Sequence, residues 1–402
     1  MDLKHNPVFH LIIAIFFFLS SSVTLAGKTL DQTSLEILGK SLDFKVKGLS
    51  FEKDSLEFNT SYNLPDPELS GEYLFASESS DNRWAAELSW GLEWPGVYDA
   101  RKKEALEKIE AARKNLEREK AERLVEIKQY LLDYILAQKK LEILDKMLLD
   151  LDSINNLARQ YVEKGIITNL DLYKIRLELA NVKGMKAMVL NDRADAVNFL
   201  SGVYGQDCQM LLNSMECEFP EISVPTLEEM KSVVSNSLAI EAVASDSKIA
   251  TRAKKVAAME ALPSISLGYK HAFEEDTHFN GVLMGVSIPL FSSKGKQKAA
   301  KAAILESELK TEALENELNS KVEQSLRQLN VLKNQLNEIE PLVETTDYHT
   351  LLLKAYENGL ISLLDYLSER NYFNTAQLDL LSLKHAAASI QTELLKYRYT
   401  TP

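Results

Sequence analysis

The 402-residue chain carries 46 Lys and Arg against 59 Asp and Glu, a net charge of −13. That balance argues against a partner held through phosphate charge, so no nucleic acid is expected. The length leaves room for two domains.

A polar lead with Lys4 precedes an apolar run from Val8 to Leu19, and small residues follow, ending Thr24-Leu25-Ala26. About a dozen apolar residues cannot span a bilayer as a helix but suit a secretory signal. Residues 1–26 are therefore expected to be removed after Ala26, and no cysteine stands there to carry a lipid anchor. No later segment is long and apolar enough for a transmembrane helix. Entry into a membrane would have to use strands.

Residues 29–46 read as a short helix, and residues 47–69, with Pro65 and Pro67, as irregular. A short strand over 70–77 and a polar turn over 78–82 lead to a second strand over 83–94. Its core is WAAELSWGLEWPG, Trp84 to Gly96. Trp84, Ala86, Leu88, Trp90, Leu92 and Trp94 alternate there with Ala85, Glu87, Ser89, Gly91 and Glu93. A period of two marks a strand with one apolar face. All three tryptophans of the chain share that face, two of them at its ends. About ten alternating residues with aromatic rims suit a lipid-facing barrel strand. Taken alone, the stretch suits half of a soluble sandwich better.

The residues after Pro95 change the balance. Residues 97–163 contain neither glycine nor proline, and Leu124, Ile127, Leu131, Tyr134, Leu141, Leu144, Leu148 and Leu151 keep coiled-coil spacing. Such a helix is roughly 100 Å long, far beyond what a soluble globular domain needs. Gly165 caps it, and Thr168 or Asn169 opens a return helix over 170–200. The linker 205–225 holds Cys208 and Cys217, the only cysteines. In an exported chain a disulfide across this short loop is expected, with free thiols as the alternative.

The pattern then begins again. A helix over 227–261 precedes strands over 264–272 (SISLGYKHA) and 279–290, joined by the turn Glu274 to His278. A long helix over 293–357, Gly359 and a last helix over 362–399 complete it. Residues 27–225 and 226–402 are thus two structural repeats. Pro289, Gly359 and Asp365 follow Pro95, Gly165 and Asp171 by the same 194 positions, and Val282, Met284, Val286 and Ile288 fall on Leu88, Trp90, Leu92 and Trp94. Two long helices of equal reach are what the staves of a tube require. His271 and His278 flank the second outer turn and read as solvated loop residues rather than a metal site. No nucleophile and base pair, phosphate loop or metal-ligand spacing supports an enzyme.

PSISLGYKHA, GVSIPLFSSKGK, YVEKGIITNLDLYKIRLELA and YENGLISLLDYLSERNYFNTAQ, at matching places in two repeats, resemble the TolC family of outer-membrane efflux proteins. The resemblance covers nearly the whole chain after residue 26 and implies an α+β membrane protein. Three chains would each lend four strands to a twelve-stranded β-barrel, continued by a long α-helical periplasmic tunnel of coiled-coil hairpins. It implies a homotrimer in the outer membrane of a Gram-negative bacterium, spanning into the periplasm and in contact with lipid through Trp84, Trp90 and Trp94. The partners would be a periplasmic adaptor and an inner-membrane transporter that supplies the energy; no cofactor or metal is implied.

By the same resemblance Tyr356, Asp171 and Asp365 would form the periplasmic gate, and Gly165, Ile166, Gly359 and Leu360 the hairpin tips that meet the adaptor. Two positions depart from the best-known member. Ile361 stands where that protein has an arginine, and Ser368 where it has a second ring aspartate. Read from the residues alone, both aspartates also suit a helix start, Tyr356 suits packing, and both glycines are caps. Type I protein secretion is the nearest alternative function, and a periplasmic coiled-coil scaffold the alternative of another class.

Overall fold

The computed structural model describes residues 28–75, 83–274, 277–291, 295–344 and 347–399. The expected signal segment and the turn over 78–82 lie outside these residues.

The first helices among the described residues are α1 (Leu30–Lys40) and α2 (Leu42–Thr60). Thr29 and Gln32 close a capping box on α1, and the Ser41 hydroxyl accepts from the Phe44 N–H to start α2. The helix expected over 29–46 is thus two helices, and α2 continues to Thr60. Only Gly48 interrupts the stretch, and a single glycine costs about 1 kcal/mol, too little to stop a helix packed on a neighbour. α2 lies along the long helix after the first hairpin and is tied to it by Lys47 and Glu119 at 2.9 Å. None of its residues is buried, and Leu42, Val46, Leu49 and Leu56 stand exposed.

β1 (Glu68–Leu74) and β2 (Arg83–Leu92) lead to α3 (Pro95–Glu163), whose 69 residues reach roughly 100 Å with Pro95 in the first turn. Its buried stripe includes Leu124, Ile127, Leu131, Tyr134, Leu141, Leu144 and Leu151. α4 (Asn169–Tyr204) returns along the distal half of α3, where Val182 packs with Leu144 and Lys186 pairs with Asp145. After the short α5 (Gln209–Asn213), α6 (Leu227–Ser235) and α7 (Leu238–Met259) complete the climb. The helix expected over 227–261 is broken at Asn236 and Ser237. α7 covers the half of α3 nearer the sheet, through Arg252–Glu107 at 3.0 Å and Lys114–Glu241 at 3.1 Å. Where α4 hands over to α7, Ile37, Ile127, Leu131, Ile135, Leu200 and Leu212 form the main core.

The expected disulfide is not formed: both cysteines are free thiols. Cys208 is buried against α4, its N–H donating to the Ser201 hydroxyl at 3.3 Å. Cys217 lies beyond α5 and the backbone bridge between Lys28 and Met215, near Lys139 and Glu218. Hydrophobic packing and that bridge therefore direct the chain at each cysteine. Burial pushes both thiols above their usual range. Alkylation of the native protein at neutral pH should be slow, and mass mapping should find the half-buried Cys217 labelled before Cys208.

β3 (Ser264–Glu274) and β4 (Thr277–Ser287) complete a four-stranded antiparallel sheet in the order β1-β2-β3-β4. Helices α8 (Lys296–Glu344), α9 (Tyr348–Glu357) and α10 (Leu363–Leu395) come next. One helix was expected over 293–357. Pro341 lies within the end of α8, where a ring without an N–H disrupts the helical ladder, and α9 is a separate helix. The spacing of 194 recurs in the structure: Thr277 opens β4 as Arg83 opens β2, and Glu357 ends α9 as Glu163 ends α3.

Candidate functional site

The sheet has two unlike faces. On one, the cross-strand row Leu88, Tyr269, Val282 is followed by Trp90, Leu267, Met284 and then Leu92, Ile265, Val286. Trp84 joins Phe273 on the same face, and Trp94 stands just past the strand. On the other face lie Glu72, Ala85, Glu87, Ser89, Ser266, Gly268, Lys270 and Gly281, with Phe279 and Leu283 as apolar exceptions. Lys270 approaches Glu72 at 3.9 Å there, and Arg83 pairs with Glu274 at 2.6 Å. No residue of the four strands is buried, so the described residues leave both faces at least partly open. Among the described residues no helix is long and apolar enough to cross a membrane.

Beneath the sheet, Arg101 bridges Glu93 at 2.6 Å and Glu260 at 2.8 Å, and Lys296 reaches Glu260 at 2.9 Å. This cluster ties the starts of α3 and α8 to the end of α7. Burial opposes the Glu260 charge, but the bonds from Arg101 and Lys296 hold its carboxyl below the usual range.

At the far end the two hairpins repeat one construction. Gly165 and Gly359 adopt φ of 68° and 67°, a conformation that disfavours any side chain. The Ile166 N–H donates to the Tyr161 carbonyl at 2.8 Å and the Gly165 N–H to Val162 at 3.0 Å. Leu360 donates to Ala355 and Gly359 to Tyr356, both at 2.9 Å. These are paired Schellman caps. A β-carbon at either glycine would meet nothing within 4 Å, so the requirement there is backbone conformation rather than space. Just beyond, Ile166 and Leu360 stand 61% and 76% exposed, two apolar side chains presented to solvent at matching tips.

The next helix in each hairpin starts with a capping box. Asp171 accepts from the Thr168 N–H at 2.9 Å and hydroxyl at 2.7 Å. Asp365 accepts from the Ser362 N–H at 3.2 Å and hydroxyl at 2.6 Å. The hydroxyl first, then the N–H, holds each carboxyl below the usual carboxylate range. A lowered folded-state pKa means that these bonds stabilise the tips above the ordinary carboxylate range and are lost as pH falls through the depressed values. Amide exchange in the first turns of α4 and α10 should therefore accelerate below about pH 4, relative to the middle of α3. An unchanged ratio between pH 7 and pH 3 would contradict this role.

The structure does not bring Tyr356 into a hydrogen bond with either aspartate of its own chain. Its ring lies 5.3 Å from that of Tyr366, and Tyr161 of the first hairpin packs against the same cluster. Burial first, and then Tyr161, pushes the Tyr356 phenol above its ordinary value. Tyr356 packs with Ile154, Leu172, Ile175, Leu352 and Leu363 in one cluster drawn from both hairpins. A second tie was not anticipated: Arg370 of α10 pairs with Asp150 of α3 and donates to the Tyr366 hydroxyl at 3.0 Å. Higher up, His385 and Asp133 meet at 2.7 Å. Asp150 and Arg370 are 220 positions apart, so no repeat offset or local spacing marks them as a pair.

No family model matches the sequence, and no curated protein does. Solved structures do match. The CmeC outer membrane channel of Campylobacter jejuni superposes with a TM-score of 0.76 at 14% identity, over 94% of this chain and 88% of its own. A crystal structure of CusC gives 0.72 at 16% identity, over 95% of both chains. The MtrE outer membrane channel of Neisseria gonorrhoeae, in its open state, gives 0.71 at 14% identity, over 94% and 92%. The fold is that of the TolC-type outer-membrane channels. The match extends over nearly the full length of both partners, so the sheet, the long helices and the paired tips are all parts of that fold.

Proposed function

We propose that this protein is the exit duct of a tripartite efflux system, passing substrate across the periplasm and the outer membrane of a Gram-negative bacterium. The observation that carries the proposal is the exposed sheet. Its apolar face is contiguous across β2, β3 and β4, none of its residues is buried, the described contact on it being the Trp90 indole N–H donating to the Pro65 carbonyl, and β1 and β4 have no further partner strand among the described residues. In lipid such open edges leave N–H and C=O groups unsatisfied, so the sheet must close with other copies. Four strands are too few for a barrel, and three copies make twelve. The exposed apolar row on α2 is a second surface that neighbouring copies would cover.

The duct has no energy source of its own in this reading. An inner-membrane transporter drives export, and a periplasmic adaptor couples it to the tips at Gly165, Ile166, Gly359 and Leu360. Tyr356, Asp171 and Asp365 narrow the periplasmic end, with the aspartates of three chains forming an acidic ring that attracts cations. Planar bilayers test the reading. Purified protein should conduct ions in discrete steps, Tyr356→Phe with Asp171→Ala should raise the step size, and Asp365→Ala should weaken block by divalent cations. A trimeric protein that inserts and conducts nothing in any of these forms would refute it. If the double variant conducts like the wild type, Tyr356 and Asp171 are packing and cap only.

A further inference from the structure

At the end of the sheet far from the helices, two histidines meet across the β3–β4 hairpin. His271 pairs with Asn280 in the ladder and His278 with Phe273, so the two are diagonal neighbours on the apolar face. Their rings lie nearly parallel at 24°, with centroids 5.3 Å apart, and His271 Nε2 is 3.3 Å from His278 Nδ1. The other nitrogen of His271 is already engaged. Nδ1 lies 2.8 Å from the Asn280 side-chain oxygen, which also accepts from the Tyr269 hydroxyl at 2.6 Å. An amide oxygen can only accept, so His271 Nδ1 carries the proton and Nε2 presents its lone pair toward His278. Trp84 lies 5.4 Å from the His271 ring, and Phe273 4.9 Å from the His278 ring.

The geometry points to a zinc-binding site formed by His271 Nε2 and His278 Nδ1. Zinc binds imidazole at about 2.0–2.1 Å, and two such ligands in a tetrahedral shell stand about 3.3–3.4 Å apart. That is the separation present between the two ring nitrogens. The second shell is also in place: a metal-bound imidazole normally donates its other N–H to a fixed oxygen, as His271 does to Asn280. When zinc binds, His278 carries its proton on Nε2 and gives its Nδ1 lone pair to the metal. Among the described residues no group of three or more His, Cys, Asp or Glu side chains could hold a metal, so among them the two histidines are the protein ligands of this site. It lies on the opposite face from the polar side of the sheet and does not depend on the duct reading.

Equilibrium dialysis of the full-length, tag-free protein in detergent, with zinc chloride at pH 7.5, tests the site. One zinc ion per chain should bind, and His271→Ala or His278→Ala should abolish it. Asn280→Ala should weaken it about 10- to 100-fold while both ligands remain. Zinc-edge X-ray absorption of the wild type should show two imidazole nitrogens. Circular dichroism checks that the variants keep their sheet; if the alanine variants do not, the absorption spectrum and Asn280→Ala decide the question. Wild type without bound zinc, binding unchanged in folded variants, or a spectrum lacking two imidazoles would overturn the assignment.

Discussion

Replacing Trp90 by Arg should impair insertion into lipid by about 2–4 kcal/mol, the cost of a cation near the midplane on a lipid-facing strand. Trp90 stands near the middle of the stretch from Trp84 to Trp94 and shares its row with Leu267 and Met284. A guanidinium there would lie against Leu267 and would lose the bond that the Trp90 indole N–H gives to the Pro65 carbonyl at 2.7 Å. Ser89→Arg is the control. Ser89 pairs with Glu68 and Gly268 on the polar face, where Glu87 and Lys270 already show that charge is accepted. Folding into lipid vesicles, followed by urea titration, should separate the two variants clearly. Equal losses at both positions would mean that the sheet does not meet lipid with one face.

The second large effect belongs to the helical core. Leu131 is fully buried in the cluster that joins α1 through Ile37, α4 through Leu200, α5 through Leu212 and α10 through Ala388. Leu131→Ala removes three carbon atoms from this cluster. The loss should be about 2–5 kcal/mol, the upper part of that range applying if the rigid neighbours cannot collapse into the space. Leu149 on the same helix is 71% exposed, and Leu149→Ala should change stability by less than about 0.5 kcal/mol. Chemical denaturation of the two variants side by side measures the difference.

The parts of the fold legible in the sequence are those with a strong local signal. The period of two from Trp84 to Trp94 placed β2, and the absence of glycine and proline after Val97 placed α3. The common offset of Gly165 and Gly359 placed both tips. The ends of α2 and α8 were missed because packing decided one and a single proline the other: α2 rests on α3 although its own apolar pattern is weak, and Pro341 interrupts an otherwise uniform run. Contacts between distant segments carry no such signal. Tyr161 with Tyr356, and Asp150 with Arg370, become neighbours only when the second hairpin lies against the first. Cys208 and Cys217 look paired by spacing, but α5 and the Lys28–Met215 bridge give each its own surroundings. The histidine pair is of the same kind: seven positions apart in the chain, it is assembled by the register of β3 on β4.

The mass of the detergent-solubilised particle tests the central claim most directly. Multi-angle light scattering, corrected for bound detergent, should report three chains per particle, because a four-stranded sheet with an exposed apolar face closes only with its copies. A monodisperse single chain that retains the same sheet content would contradict the account.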